Sequence, residues 1–200
     1  DSVLHDDFTN SQAKSFLKSC EEIQQITGYQ FIRHIANTSA IHRHKNLQFD
    51  MIRLGIGMYG VDSDPSIQDQ LKNVTTLKTT ISQIKKIKAG ESIGYSRKGV
   101  AARDSVIATV RIGYADGYPR LLSNGIGKML INGNEVPVIG SVCMDMTMLD
   151  ITGIDVQEGD DVIVFGAGLP VSELAKLSQS IPYEILTGIS QRVKRVYFEE

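Results

Sequence analysis

The sequence predicts an α+β protein that is mainly β: a short segment of alternating helices and strands, then a mostly antiparallel, β-barrel-like domain. Over the first part of the chain, apolar residues recur at helical spacing and then in short extended runs, which is typical of βα units. From about Leu71 strand follows strand, separated by turn signals such as Asn132-Gly133. Charge and proline concentrate in 61–70. We therefore expect domains at 1–70 and 71–200.

The first domain opens with a long helix. Its apolar positions fall at helical spacing, at Ala13, Phe16, Leu17, Cys20 and Ile23. Thr9 with Gln12 predicts a capping box at the start, and Gly28 predicts the stop. Short loops then link a strand, a helix and a strand, predicted at 29–36, 39–45 and 49–56. Such a unit favours parallel pairing of the two strands.

The second domain consists of extended, β-branched runs bounded by glycine-containing turns. One helix interrupts them. The predicted strands are 75–87, 105–114, 127–133, 135–151 and 160–166, and the predicted helix is 170–181.

Charge and composition exclude several classes of function. The chain of 200 residues carries 21 basic and 23 acidic side chains, so no basic excess favours nucleic acid as a partner. No apolar run approaches the ~18 residues that a membrane helix needs. Cys20 and Cys143 have neither metal nor redox spacing, so we expect reduced thiols, a cytoplasmic protein and no metal site.

Two loops follow the predicted parallel strands, where α/β proteins place their ligands. Thr38 stands at a helix start, a natural site for a phosphate group. Gly55 would let a ligand approach the backbone of the second loop. Alternatively, Thr38 is only a helix cap and the glycine only a turn. Arg53, inside an apolar run, is either a ligand-facing cation or the partner of a nearby carboxylate.

The stretch 113–118, Gly-Tyr-Ala-Asp-Gly-Tyr, places Tyr114 after an apolar strand and inside a glycine-rich bend. It is either the end of a strand in a turn or a catalytic tyrosine. A second stretch, 144–148, alternates methionine with other residues, which also fits one apolar face of a strand.

Five motifs together resemble the alanine racemase family of pyridoxal phosphate enzymes. They span nearly the whole chain in the family's order, at 34–40, 49–60, 111–120, 138–148 and 183–197. The resemblance implies the last βα units of a (β/α)₈ barrel followed by the family's C-terminal β-domain. It also implies pyridoxal 5′-phosphate as cofactor, alanine as substrate, D-alanine supply for peptidoglycan, a bacterial cytoplasmic location and a homodimer with shared active sites.

The resemblance assigns roles to individual residues. Thr38 would bind the cofactor phosphate with backbone help from Gly55 and Ile56, and Arg53 would face the pyridine nitrogen. Tyr114 would be one of the two bases that racemisation needs, on the face opposite the cofactor lysine. The backbone N–H of Met144 would meet the substrate carboxylate beside Asp145. In the family these last three residues enter the partner subunit's active site.

Two departures limit what the resemblance implies. The family's lysine-bearing motif, near the start of its barrel, has no match here, so we expect this chain alone to be inactive. Gln191 stands where some members carry a phosphate-binding tyrosine. Two alternatives stay open: a non-catalytic β-domain for dimerisation or binding, and a racemase for serine or a broader range of amino acids.

Overall fold

The computed structural model describes residues 5–198, and the chain divides into two compact units. Unit 1 runs to Val74 and unit 2 begins at Thr75. Unit 1 contains three α-helices, whereas every strand assigned in the described residues belongs to unit 2. Within those residues no helix is long and apolar enough to cross a membrane.

The long helix α1 of unit 1 spans Asp6–Thr27. It begins three residues before Thr9, and the cap position holds His5 without a side-chain hydrogen bond, so the predicted capping box is wrong. The acidic first turn favours this earlier start, since carboxylates interact well with the positive end of the helix dipole. Gly28 ends the helix as predicted, with φ of 67° and its N–H donating to Gln24 O.

The two strands predicted in unit 1 lie side by side and parallel, but they do not form regular strands. A single parallel bridge joins Asn37 to Arg53. Backbone hydrogen bonds run from Arg53 N–H to Ala36 O (2.9 Å) and from Asp50 N–H to Arg33 O (3.1 Å). The predicted parallel direction is therefore confirmed, and the prediction of two regular strands is wrong. A strand needs a partner along its length, and these segments pair at isolated points only.

Two short helices complete unit 1. The helix predicted at 39–45 is α2, Thr38–Arg43, and α3 spans Pro65–Gln68. The side chains of Asn37 and Asp64 cap them, each accepting a hydrogen bond from a backbone N–H of the first turn.

Unit 2 is an almost closed antiparallel barrel. Its sheet has the strand order β6-β5-β8-β1-β4-β7. These strands are β1 Leu77–Ile87, β4 Ser105–Val110, β5 Lys128–Ile131, β6 Asn134–Pro137, β7 Thr147–Asp150 and β8 Asp161–Phe165. The outer strands meet just beyond β6, where Val138 bridges Leu149 and Ile139 N–H donates to Met148 O at 2.9 Å. The predicted β-barrel-like domain is confirmed.

Alternation along the strands builds the barrel core. Side chains that are essentially inaccessible come from most of the strands, among them Val110, Met129, Ile131, Val136, Leu149, Val162 and Val164. The predicted Asn132-Gly133 hairpin joins β5 to β6, and both residues have positive φ (49° and 77°), as a type I′ turn requires.

Three features of unit 2 differ from the prediction. The stretch 135–151 is two strands separated by a loop, and Gly140 at φ 72° marks the break. The helix predicted at 170–181 is α4, Val171–Leu177, and a further helix α5, Pro182–Gly188, follows. Pro182 lies in the first turn of α5, where proline is favoured, and this signal could have predicted the helix. A hairpin of two very short strands, β2 Ser92–Ile93 and β3 Gly99–Val100, was also not predicted.

Candidate active-site elements

Thr38 is buried, with 6% of its surface exposed, and its hydroxyl faces the second loop of unit 1. Thr38 Oγ1 accepts a hydrogen bond from Gly55 N–H at 2.9 Å. Thr38 is not the helix cap, since Asn37 fills that role. The hydroxyl therefore joins the two loops that follow the parallel segments and keeps its own proton available for donation.

The glycines of the second loop keep its backbone close to Thr38. A Cβ on Gly57 would lie 2.9 Å from Thr38 Cγ2, closer than real side chains allow. Neither Ile56 N–H nor Gly57 N–H has an acceptor within residues 5–198. One hydroxyl beside two unpaired backbone amides makes a cradle suited to an anion such as a phosphate group.

Arg53 lies on the same segment, two residues before Gly55. Its guanidinium donates to Ile35 O at 3.1 Å, and the residue is exposed in the chain described here. No carboxylate among residues 5–198 lies within 4.0 Å of it. The ion-pair interpretation therefore finds no support, and the cation is held by a backbone carbonyl beside the cradle.

In unit 2, two loops lie in backbone contact: a first site loop, Gly113–Tyr118, and a second site loop, Cys143–Met146. Two hydrogen bonds of 3.0 Å join them, from Tyr114 N–H to Cys143 O and from Ala115 N–H to Met144 O. A Cβ on Gly113 would lie 2.3 Å from Cys143 O and 2.4 Å from Met144 O, so only glycine permits this approach. The two motifs that the sequence singled out in this domain are thus brought together.

Met144 and Asp145 belong to the second site loop, not to a strand. The apolar-face interpretation is wrong for Met144 and Met146, which are both about half exposed, and only Met148 lies in β7. Within the part of the chain that the structure describes, Met144 N–H has no acceptor. This backbone group is free to bind a ligand, as the sequence prediction requires.

Tyr114 presents a half-exposed side chain (45%) from the first site loop, whereas its neighbour Tyr118 is wholly buried. Burial raises the pKa of the Tyr118 phenol above its ordinary value, and its hydroxyl has no partner in residues 5–198. A phenol that holds its proton more tightly and cannot reach a ligand is a poor base. Of the two, Tyr114 is the candidate.

The sequence analysis missed Tyr95, which is 75% exposed in the turn between β2 and β3. The two residues after it, Ser96 and Arg97, both have positive φ (58° and 53°), a conformation that costs energy outside glycine and clusters at functional sites. The preceding Gly94 packs on Ser141, two residues before the second site loop: a Cβ there would lie 3.5 Å from Ser141 N. The available signal was a second Ile-Gly-Tyr triplet, like the one that ends at Tyr114.

Arg192 is the second residue that the sequence analysis missed. Its guanidinium bonds to Asp116 of the first site loop (Nε–Oδ1 2.7 Å) and to Asp145 of the second. The hydrogen bond from Arg192 to Asp116, and to a smaller extent the one to Asp145, raises the pKa of the guanidinium. Sequence spacing offers no signal, because 76 and 47 residues separate Arg192 from these two carboxylates.

Comparison with known families decides what these elements belong to. The family model described as "Alanine racemase, C-terminal domain" matches residues 74–197, and "Alanine racemase, N-terminal domain" matches residues 1–63. The chain belongs to the alanine racemase family. The resemblance seen in the motifs is therefore confirmed, and the two site loops lie in the stretch matched by the alanine racemase C-terminal domain.

Individual alanine racemases are similar over nearly the whole chain. Alanine racemase 1 of Clostridium acetobutylicum is 40% identical, over 96% of this chain and 52% of its own length. The Bartonella henselae enzyme, solved with covalently bound pyridoxal phosphate, is 34% identical with a TM-score of 0.84, over 95% of this chain and 52% of its own. The Bacillus anthracis enzyme, solved with bound L-Ala-P, is 32% identical with a TM-score of 0.88, over 96% and 51%. The chain thus spans about half the length of these alanine racemases.

Proposed function

We propose that this chain supplies the C-terminal half of an alanine racemase that uses pyridoxal 5′-phosphate to interconvert L-alanine and D-alanine. The cradle of unit 1 carries the proposal: Thr38 Oγ1 accepts from Gly55 N–H, beside the amides of Ile56 and Gly57, which have no acceptor in the described part of the chain. A module that served only dimerisation would have no use for it. Family membership and the relative solved with covalently bound pyridoxal phosphate support the same cofactor.

The residues present fit this cofactor. The hydroxyl of Thr38 and the amide of Ile56 would hold the phosphate, and Arg53 would stand near the ring. When bound, the cofactor withdraws electrons from the α-carbon of an amino acid and makes its proton acidic.

Unit 2 supplies the remaining groups. The N–H of Met144 would hold the substrate carboxylate, and a tyrosine phenol would take or return the α-proton on one face. Racemisation needs a base on each face. By the family resemblance we propose that the second base is the cofactor lysine, in the half of the enzyme that this chain does not cover.

The finer parts of the proposal follow from the family. We propose that D-alanine is supplied for peptidoglycan in a bacterial cytoplasm, and that the enzyme is a homodimer. In that dimer the two site loops of one subunit would complete the active site of its partner. The relative solved with bound L-Ala-P supports an alanine-like substrate.

A racemase assay tests this function directly. The complete enzyme should convert L-alanine to D-alanine in the presence of pyridoxal phosphate, and faster than it converts L-serine. The chain 1–200 alone should show no turnover, since the lysine motif is absent. Borohydride reduction with the cofactor should then label no single lysine stoichiometrically. Turnover by the chain alone would show that the lysine assignment is wrong, and inactivity of the complete enzyme would remove the proposed function.

Replacing Thr38 by valine in the complete enzyme should weaken cofactor binding by about ten- to a hundredfold. Valine keeps the shape but removes a hydroxyl that is worth about 1–3 kcal/mol when it binds a charged group. The dissociation constant of pyridoxal phosphate, from dialysis and absorbance, measures the effect. Ser39→Ala is the matched control, because Ser39 has no bond to Gly55. Equal affinity in Thr38→Val and wild type would remove Thr38 from the phosphate site.

A further inference from the structure

Arg192 is the one side chain that bonds to both site loops within the described residues. It contacts Asp116 in the first site loop and Asp145 in the second. The guanidinium offers a planar set of donors, so one Arg can hold two carboxylates at a defined separation. Arg192 therefore adds a side-chain link to the two backbone hydrogen bonds that already join the loops.

Asp116 is itself held in place by two hydrogen bonds. Asp116 Oδ2 accepts from Gly113 N–H at 2.9 Å, and its backbone O accepts from Ser190 N–H at 3.0 Å. The carboxylate of Asp116 is mostly buried, at 14% exposure, whereas that of Asp145 is half exposed. Asp116 and Arg192 thus form a fixed pair, and the second site loop is held against it through Asp145.

The position of Asp145 has an electrostatic consequence. It follows Met144, whose N–H has no acceptor among the residues described and would donate to the substrate carboxylate. An unpaired aspartate there would repel that carboxylate, at a cost that near a protein surface reaches about a factor of ten in affinity. Arg192 removes this repulsion by neutralising Asp145 and drawing it toward Asp116.

We propose that Arg192 is a positioning residue for the substrate carboxylate: it helps to hold the second site loop and neutralises Asp145, so that Met144 N–H can donate a hydrogen bond to that carboxylate. The inference rests on the proposed function, since it names how that same site admits an amino acid. It predicts that Arg192 governs substrate affinity more than the proton transfer itself.

Arg192→Gln in the complete enzyme should raise KM for both alanine enantiomers about tenfold and change kcat less than threefold. The dissociation constant of acetate, a carboxylate without an amino group, should rise by the same factor. It is measured from the dependence of the thermal unfolding midpoint on acetate concentration. Arg103→Gln is the matched control, because Arg103 pairs with Asp150 and, within residues 5–198, has no hydrogen bond or ion pair to either loop. Its KM and acetate affinity should equal those of wild type.

A double variant separates positioning from a merely structural role. Adding Asp145→Asn to Arg192→Gln removes the carboxylate charge that the first substitution leaves unpaired. KM and acetate affinity should then return to within about threefold of wild type. The thermal unfolding midpoint should stay below that of wild type, because the contact between Arg192 and the two loops is still missing. No recovery, or a loss confined to kcat, would overturn the inference. If wild type does not racemise alanine, the proposed function fails, and the acetate titration still decides the role of Arg192.

Discussion

Removing the acting phenol of unit 2 should lower kcat of the complete enzyme by about a thousandfold, because general acid–base catalysis contributes roughly 10²–10⁴. The two candidates are Tyr114, in the first site loop, and Tyr95, in the strained turn. Tyr→Phe at each position deletes the hydroxyl and keeps the ring. Loss of the acting base should abolish α-proton exchange from one enantiomer while leaving exchange from the other, since each base serves one face.

Deuterium incorporation at the α-carbon, measured from L-alanine and from D-alanine, distinguishes the two tyrosines. Substitution of the tyrosine that is not the base should lower kcat less than tenfold, and equally in both directions. Tyr118→Phe serves as the control with unchanged activity, because that phenol is buried. An asymmetric loss in Tyr95→Phe alone would make the Tyr114 prediction wrong. Modest, symmetric losses in both variants would mean that the base is not a phenol of this domain.

Gly113→Ala should destabilise unit 2 by about 3 kcal/mol or more and abolish activity. The added Cβ would meet two backbone oxygens, Cys143 O and Met144 O, and backbone cannot rotate away as a flexible side chain can. Relief requires the two site loops to separate, which breaks the hydrogen bonds between them. Urea unfolding followed by circular dichroism measures the stability, and the racemase assay measures the activity.

The control for this substitution is Gly188→Ala at the end of α5. Neither glycine has positive φ, so the two substitutions differ in the space around the new methyl group, and nothing lies within 4 Å of it at Gly188. Alanine there should be neutral or stabilising by up to about 1 kcal/mol, since it favours the helix. Similar stabilities for the two variants would show that the loops are not in the close contact described.

The barrel could be predicted from the sequence because its strands and turns are specified by residues that are close together in the chain. Alternation and the Asn132-Gly133 pair give strands and a hairpin without reference to distant residues. The parallel direction of the two segments in unit 1 follows equally from the helix between them. Thr38 and Gly55 were predicted as site residues from their places after these segments, and they do contact each other.

What could not be predicted depends on contacts distant in sequence. Alternation of methionines fits a strand, and only the approach of Gly113 to the second site loop shows that Met144 lies elsewhere. The segments of unit 1 have the composition of strands, but the ladder needs partners that these residues do not provide. Arg192 carries no motif, and its role appears only when Asp116 and Asp145 are brought together.

The position of Arg192 also has a consequence for the order of synthesis. A ribosome completes Asp116 and Asp145 well before it reaches Arg192, which follows the second of them by 47 residues. Until then two like charges face each other across the loop contact and no cation joins them. The barrel strands, which all end by Phe165, leave the ribosome before Arg192 does. The order of the chain therefore allows the barrel to assemble before the contact that joins the two carboxylates, and we expect a chain cut just before Arg192 to retain the barrel and lose that contact.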